Sequence, residues 1–268
     1  MPKFAANLTM LFNEISFLER FGAAARSGFD AVEYLFPYDY DKSALRVRLA
    51  DHGLKQVLHN LPAGNWAAGD RGIACLPDRI GEFDTGVDRA IEYATALGCT
   101  RLNCLAGIKP AAVDLHVARQ TFVRNLRYAA PRLEAAGIAL LIEPINTRDV
   151  PGFFLSSTSQ AIEIINAVDS GNLFVQFDMY HMHMMGEDLA RTINDHASLV
   201  RHMQLADAPG RHEPGTGEID YPPLFDLIDR VGYAGWIGCE YNPLVSTAES
   251  LKWRPARRSA TRDGGSRT

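Results

Sequence analysis

Leu140-Leu141-Ile142 runs into Glu143, and the pattern returns three times. Phe174-Val175-Gln176-Phe177 runs into Asp178, Val200 to Met203 into Gln204, and Ile237-Gly238-Cys239 into Glu240. An apolar run ending in a carboxylate or amide, repeated about every thirty residues, has the length of one strand–helix unit. Barrel strands are buried, and their C-terminal ends open into a catalytic mouth. Three carboxylates and an amide oxygen converging there would repel one another unless a cation joined them.

Working outward, strand candidates alternate with helical patterns near 4–8, 29–35, 55–59, 100–105, 138–143, 172–178, 200–205 and 236–240. Such alternation implies parallel pairing through right-handed crossovers. Eight units favour a closed (β/α)8 TIM barrel over an open doubly wound sheet, and 268 residues suit a single domain of that kind. Ile80 to Leu97 and Val113 to Ala136 carry apolar residues at three-to-four spacing, with Gly98 and Gly137 where those helices should stop. Asp220-Tyr221-Pro222-Pro223 reads as an N-cap followed by helix-compatible prolines. The stretch from Asn60 to Pro77 has the composition of an active-site loop or lid.

Composition excludes several classes. The chain is 47 % hydrophobic and 22 % charged, ordinary for a globular protein. No apolar run approaches the roughly 18 residues needed to span a bilayer, and the start has no signal-peptide pattern. Cys75, Cys99, Cys104 and Cys239 form no CxxC pair, which argues against a disulfide framework and suits a reducing cytoplasm. The segment 254–268 holds five Arg and one Asp, and reads as a basic, frayed tail after a barrel domain spanning 1–253. The chain carries −5, so the body without that +4 tail carries −9, a poor surface for nucleic acid.

Carboxylate and amide oxygens without thiolates favour a hard ion, Mg2+ or Mn2+. Glu143 and Glu240, on strands five and eight, would flank a bound ketose or keto acid, suited to removing a proton at one carbon and delivering it at the next. His181, three residues after Asp178, is placed to donate to a substrate oxygen, and His59 ends strand three at the same mouth. His183, His202 and His212 lie nearby, His183 and His202 reading as structural. An anionic substrate facing this acidic body needs a local cation, for which Arg211 and Arg148 are the candidates. Gly215-Thr216-Gly217-Glu218 lacks the Lys-Ser/Thr of a phosphate loop and reads as a tight loop over the site. Met179 to Met185 is methionine-rich, a packing signal rather than a copper site.

Several segments resemble the hydroxypyruvate isomerase family within the xylose-isomerase-like TIM barrels. They are Leu141-Ile142-Glu143-Pro144-Ile145-Asn146, Gln176-Phe177-Asp178-Met179-Tyr180-His181, His202-Met203-Gln204-Leu205-Ala206-Asp207, Gly210-Arg211 through Gly215 to Tyr221, and Gly238-Cys239-Glu240-Tyr241. Ala6 to Phe12 and Leu58 to Gly64 extend the likeness over about residues 4–253. The resemblance implies a metal site of Glu143, Asp178, Gln204 and Glu240, with the two glutamates as the acid/base pair. It implies interconversion of hydroxypyruvate and 2-hydroxy-3-oxopropanoate. The same chemistry on a longer 2-oxo-tetronate is the near alternative, and a ketose 3-epimerase the next, disfavoured because those enzymes have His where Gln204 stands. A phosphodiester hydrolase of this barrel type would need a multi-histidine zinc cluster. The expected partner is a small anionic hydroxy-keto acid, with no nucleic acid and no membrane; whether the chain forms a homo-oligomer is left open.

Overall fold

The computed structural model describes residues 2–254. Eight strands form a closed barrel in sequence order: β1 Lys3–Asn7, β2 Ala31–Glu33, β3 Lys55–Asn60, β4 Arg101–Cys104, β5 Ala139–Ile142, β6 Leu173–Asp178, β7 Val200–Leu205 and β8 Trp236–Cys239. Every neighbouring pair is parallel, and β1 closes on β8 through Lys3↔Trp236 to Ala6↔Cys239. Each predicted strand is present, and the ends differ by a few residues.

The helices are α1 Phe17–Arg26, α2 Lys42–Asp51, α3 Ile80–Leu97, α4 Leu115–Ala135, α5 Thr158–Val168, α6 Met179–Met184, α7 Leu189–His196, α8 Tyr221–Arg230 and α9 Thr247–Ser250. Helix α3 buries Phe83, Val87, Ala90, Ala94 and Leu97, the apolar stripe its spacing predicts. It stops at Gly98, whose φ of 65° is the left-handed conformation that glycine adopts without strain. Asp220 does precede α8, but its side chain makes no cap bond, and the helix start rests on its prolines.

Two details shape the mouth. Strand β5 ends at Ile142, one residue before Glu143, and Pro144 behind it has no N–H to continue a ladder. The 60–77 stretch is tied down where Gly72 meets Ala106 beyond β4. A Cβ at Gly72 would lie 2.4 Å from the Leu105 carbonyl oxygen, so only glycine permits that approach.

The four cysteines are free and buried. Met179 and Met182 are fully buried, so the methionine-rich segment is packing. Arg254 lays its guanidinium over Phe29 at 3.7 Å and belongs with the barrel body. The rest of the predicted basic tail lies outside the described residues. Among the described residues no helix is long and apolar enough to cross a membrane.

Candidate active site

Strand order brings Glu143, Asp178 and Glu240 to one end of the barrel, all buried. One ligand atom from each, with one from His181, all lie within 4.8 Å of one another. A cavity of about 270 Å³ opens beside them. Glu143, Glu240, His181 and Arg211 line it, with Asn60, Trp66 and Arg71 on the 60–77 side.

Each acid is held by named donors. Glu143 Oε2 accepts from Asn103 Nδ2 at 2.8 Å. Glu240 Oε1 accepts from Asn7 Nδ2 at 3.1 Å, and its Oε2 lies 2.5 Å from Arg211 Nη2. Asp178 divides its oxygens. Oδ1 accepts from the Tyr180 amide at 2.9 Å, capping α6, while Oδ2 faces Arg211 at 3.4 Å and His181 Nε2 at 3.6 Å. Asp178 thus caps α6 with one oxygen and turns the other toward Arg211 and His181.

Burial raises the pKa of all three acids. Glu143 goes well above the carboxylate range, with Glu240 and Asp178 adding repulsion. Burial pushes Asp178 up to about 6 and Glu240 up to about 8, against the pull of Arg211. Burial works against the Arg211 charge, yet Glu240, Asp178 and Glu143 raise its pKa. A single guanidinium thus balances three clustered acids, and the site retains a demand for positive charge. The donor set, carboxylate oxygens with one adjacent imidazole, fits a hard divalent cation.

His181 is fixed as a donor. Asn146 Oδ1 accepts from the amides of Arg148 and Asp149, so its Nδ2 must face His181 Nδ1, 2.7 Å away. The Nδ1 atom accepts there, which leaves the proton on Nε2. Burial, then Arg211, holds the ring's pKa well below the usual range, so it stays neutral. Although His181 stands within reach of the acids, this tautomer offers them N–H rather than a lone pair.

Gln204 is the register partner of Asp178 across β6 and β7. Its Oε1 accepts from Gln176 Nε2 at 2.6 Å, and its Nε2 donates to Glu33 Oε1 at 2.8 Å. Two of the four predicted substrate contacts are not brought to the cavity. His59 is fully buried beside Gln56 and Tyr38, and burial drops its pKa to about 3, so it carries no charge for an anion. Strand alternation turns Asn60 to the cavity instead. Arg148 is exposed and does not line the cavity.

Arg211 has a φ of 58°, a left-handed conformation rare for arginine. Its loop is held by Asp207. That carboxylate accepts from the amides of Gly215, Thr216 and Gly217 on Oδ2 and of Ala208 and Ile219 on Oδ1. The Gly215-Thr216-Gly217 turn is thus a cradle for the chain's own aspartate, and it steadies the loop that presents Arg211.

Sequence reasoning missed Arg71, Asn7 and Asn103. Arg71 stacks on Trp66 at 4.3 Å and spends Nη1 on the carbonyls of Trp66 and Asp70. Its position in the lid-like stretch was the available signal. Asn7 and Asn103 offered none, since asparagine at a strand end reads as a turn residue.

The xylose isomerase-like TIM barrel family model matches residues 21–257, and the chain belongs to that family. It is 51 % identical over 253 residues to a hydroxypyruvate isomerase of Escherichia coli, covering 94 % of this chain and 98 % of that protein. It is 47 % identical to a 2-oxo-tetronate isomerase of Cupriavidus necator, covering 94 % and 97 %. A crystal structure from Brucella melitensis, titled an AP endonuclease of family 2, superposes with a TM-score of 0.92 at 47 % identity, covering 94 % and 98 %.

Proposed function

We propose that this protein is an isomerase interconverting hydroxypyruvate and 2-hydroxy-3-oxopropanoate by proton transfer between adjacent carbons. The observation that carries the reading is the pair Glu143 and Glu240, both buried, both lining one small cavity and each aimed by its own asparagine. One glutamate takes a proton from C3, giving an enediolate, and the other delivers a proton to C2. In net terms the O3 hydroxyl proton passes to O2, and His181 Nε2–H is placed to donate to one of these oxygens. Burial raises the pKa of both glutamates, and Arg211 opposes the rise at each.

Glu143, Asp178 and Glu240, with Gln204 through the second lone pair of its Oε1, would hold the divalent cation, Mg2+ or Mn2+. Such an ion supplies Lewis-acid polarisation of the substrate carbonyl. The substrate carboxylate falls to Arg71 and Arg211, the arginines at the cavity, in place of His59 and Arg148. Its small volume suits a short hydroxy-keto acid, and a reducing cytoplasm suits the four free thiols.

The 47 % relative named for 2-oxo-tetronate makes the longer acid the second reading. An endonuclease reading lacks its chemistry here, because among the described residues the acid cluster includes one histidine and the body is acidic. The deciding experiment is NMR detection of C3-proton exchange into D2O across a panel of hydroxy-keto acids, with and without Mg2+ or Mn2+. Exchange and isomerisation fastest with hydroxypyruvate support the reading; a fourfold-or-greater preference for 2-oxo-tetronate, on the order of 1 kcal/mol, transfers it to the longer acid, and no exchange with any of them removes it.

A further inference from the structure

Glu33 ends β2, is 1 % exposed, and does not line the cavity. Its carboxylate crosses the barrel interior. Oε1 accepts from Asn7 Nδ2 at 3.0 Å and from Gln204 Nε2 at 2.8 Å, and Oε2 lies 2.5 Å from His202 Nε2. The barrel makes room for it at Gly238 on β8, where a Cβ would fall 2.2 Å from Glu33 Oε1. A carboxylate this deep costs free energy unless donors surround it, and a well-packed apolar residue would serve stability as well or better. Its use must lie in what it does to its neighbours.

A carboxylate accepts hydrogen bonds and donates none, whereas an amide has one donor end and one acceptor end. Any amide facing Glu33 must therefore present its NH2. Gln204 does so, which turns its oxygen to the other side, where it accepts from Gln176 and keeps its second lone pair for a cation beside Asp178. Asn7 does so too. Its Oδ1 accepts from the Thr9 amide at 3.0 Å, and its Nδ2 bridges Glu33 and Glu240. One buried acceptor thus settles the orientation of an amide on each side of it.

We propose that Glu33 is a positioning residue that sets Gln204 as an oxygen donor to the cation and Asn7 as a hydrogen-bond donor to Glu240, and so tunes the cation affinity of the mouth. It rests on the cation reading given under Proposed function. Glu33→Leu is close in volume and removes both acceptor oxygens, so neither Gln204 nor Asn7 is held to its present orientation. Gly238→Ala keeps the charge and displaces the carboxylate.

The measurement is Mn2+ affinity by calorimetry without substrate, beside circular dichroism and thermal unfolding. Both variants should fold and bind Mn2+ about 10-fold to 100-fold more weakly, the usual effect of losing a group that orients a ligand. A folded Glu33→Leu protein with wild-type affinity overturns the proposal. If that variant does not fold, wild-type affinity in Gly238→Ala overturns it, and failure of both to fold shows Glu33 to be a fold determinant and overturns it as well. A wild-type protein that binds no Mn2+ overturns the cation reading itself, an outcome distinct from the others.

Discussion

Strands β5, β6 and β8 bring acids to the barrel mouth, while strands β1, β3 and β4 bring amides: Glu143, Asp178 and Glu240 on one side, Asn7, Asn60 and Asn103 on the other, with the amide of Gln204 on β7 set among the acids. In the proposed reaction the acids carry the charge and the proton chemistry. The amides carry no charge, yet Asn103 aims Glu143 and Asn7 aims Glu240. Neither half makes a site alone. Clustered carboxylates without donors would repel and protonate, and amides without acids have nothing to move. β2 breaks the division with Glu33, an acid placed among the amides and bonded to two of them, Asn7 and Gln204.

The sharpest way to break this comparison is to neutralise the acids. Glu143→Gln and Glu240→Gln should each lower turnover by about 10²-fold or more, the scale of general acid/base loss, while thermal unfolding shows a retained fold. Turnover near wild type in either would remove that glutamate from the proton chemistry.

Removing the amides should cost less. Asn103→Ala and Asn7→Ala each delete the hydrogen bond that aims one glutamate, on the order of 1.5–3 kcal/mol, and should slow kcat about 10-fold to 100-fold. Asn103 lowers the Glu143 pKa, so its loss should also move the acid limb of the kcat/KM profile to higher pH. An unmoved profile in steady-state assays would show that Asn103 only packs.

The acid half should also govern stability against pH. The folded pKa of Glu240, about 8, lies above the ordinary 4.5, so the native state holds more protons than the unfolded chain between those values. Stability is then greatest below about pH 4.5 as far as this group is concerned, and falls as pH rises toward 8. Asp178, at about 6, adds a narrower fall in the same direction. Melting temperatures in EDTA should decline across that window, and saturating Mn2+, which binds the ionised carboxylates, should flatten the decline. A Tm that rises with pH in EDTA would contradict the burial of these charges.

The smallest effects separate the arginines. Arg71→Ala should raise KM for hydroxypyruvate about tenfold, the value of one charge-assisted hydrogen bond, and leave an uncharged hydroxyketone analogue little changed. Arg148→Ala should change neither, since that side chain is exposed away from the cavity. Equal effects of Arg71→Ala on both compounds would show that it does not read the carboxylate.

The amino-acid sequence alone determined the barrel, because strand and helix periods are local and each unit of this fold repeats the same local pattern. It also determined the acids, since a carboxylate closing an apolar run is costly unless it has work to do. Tertiary structure decided the rest. Asn7 reaches Glu240 across 233 residues of chain because β1 closes on β8, and no local pattern foretells that closure contact. The same holds for the bond between Glu33 and His202, 169 residues apart. His59 read as a mouth residue and is a buried neutral ring, because the strand's alternation gave the cavity to Asn60. Side-chain identity sets what a residue is able to do; which neighbours it does it with depends on barrel closure and on the direction in which each strand presents its alternate residues.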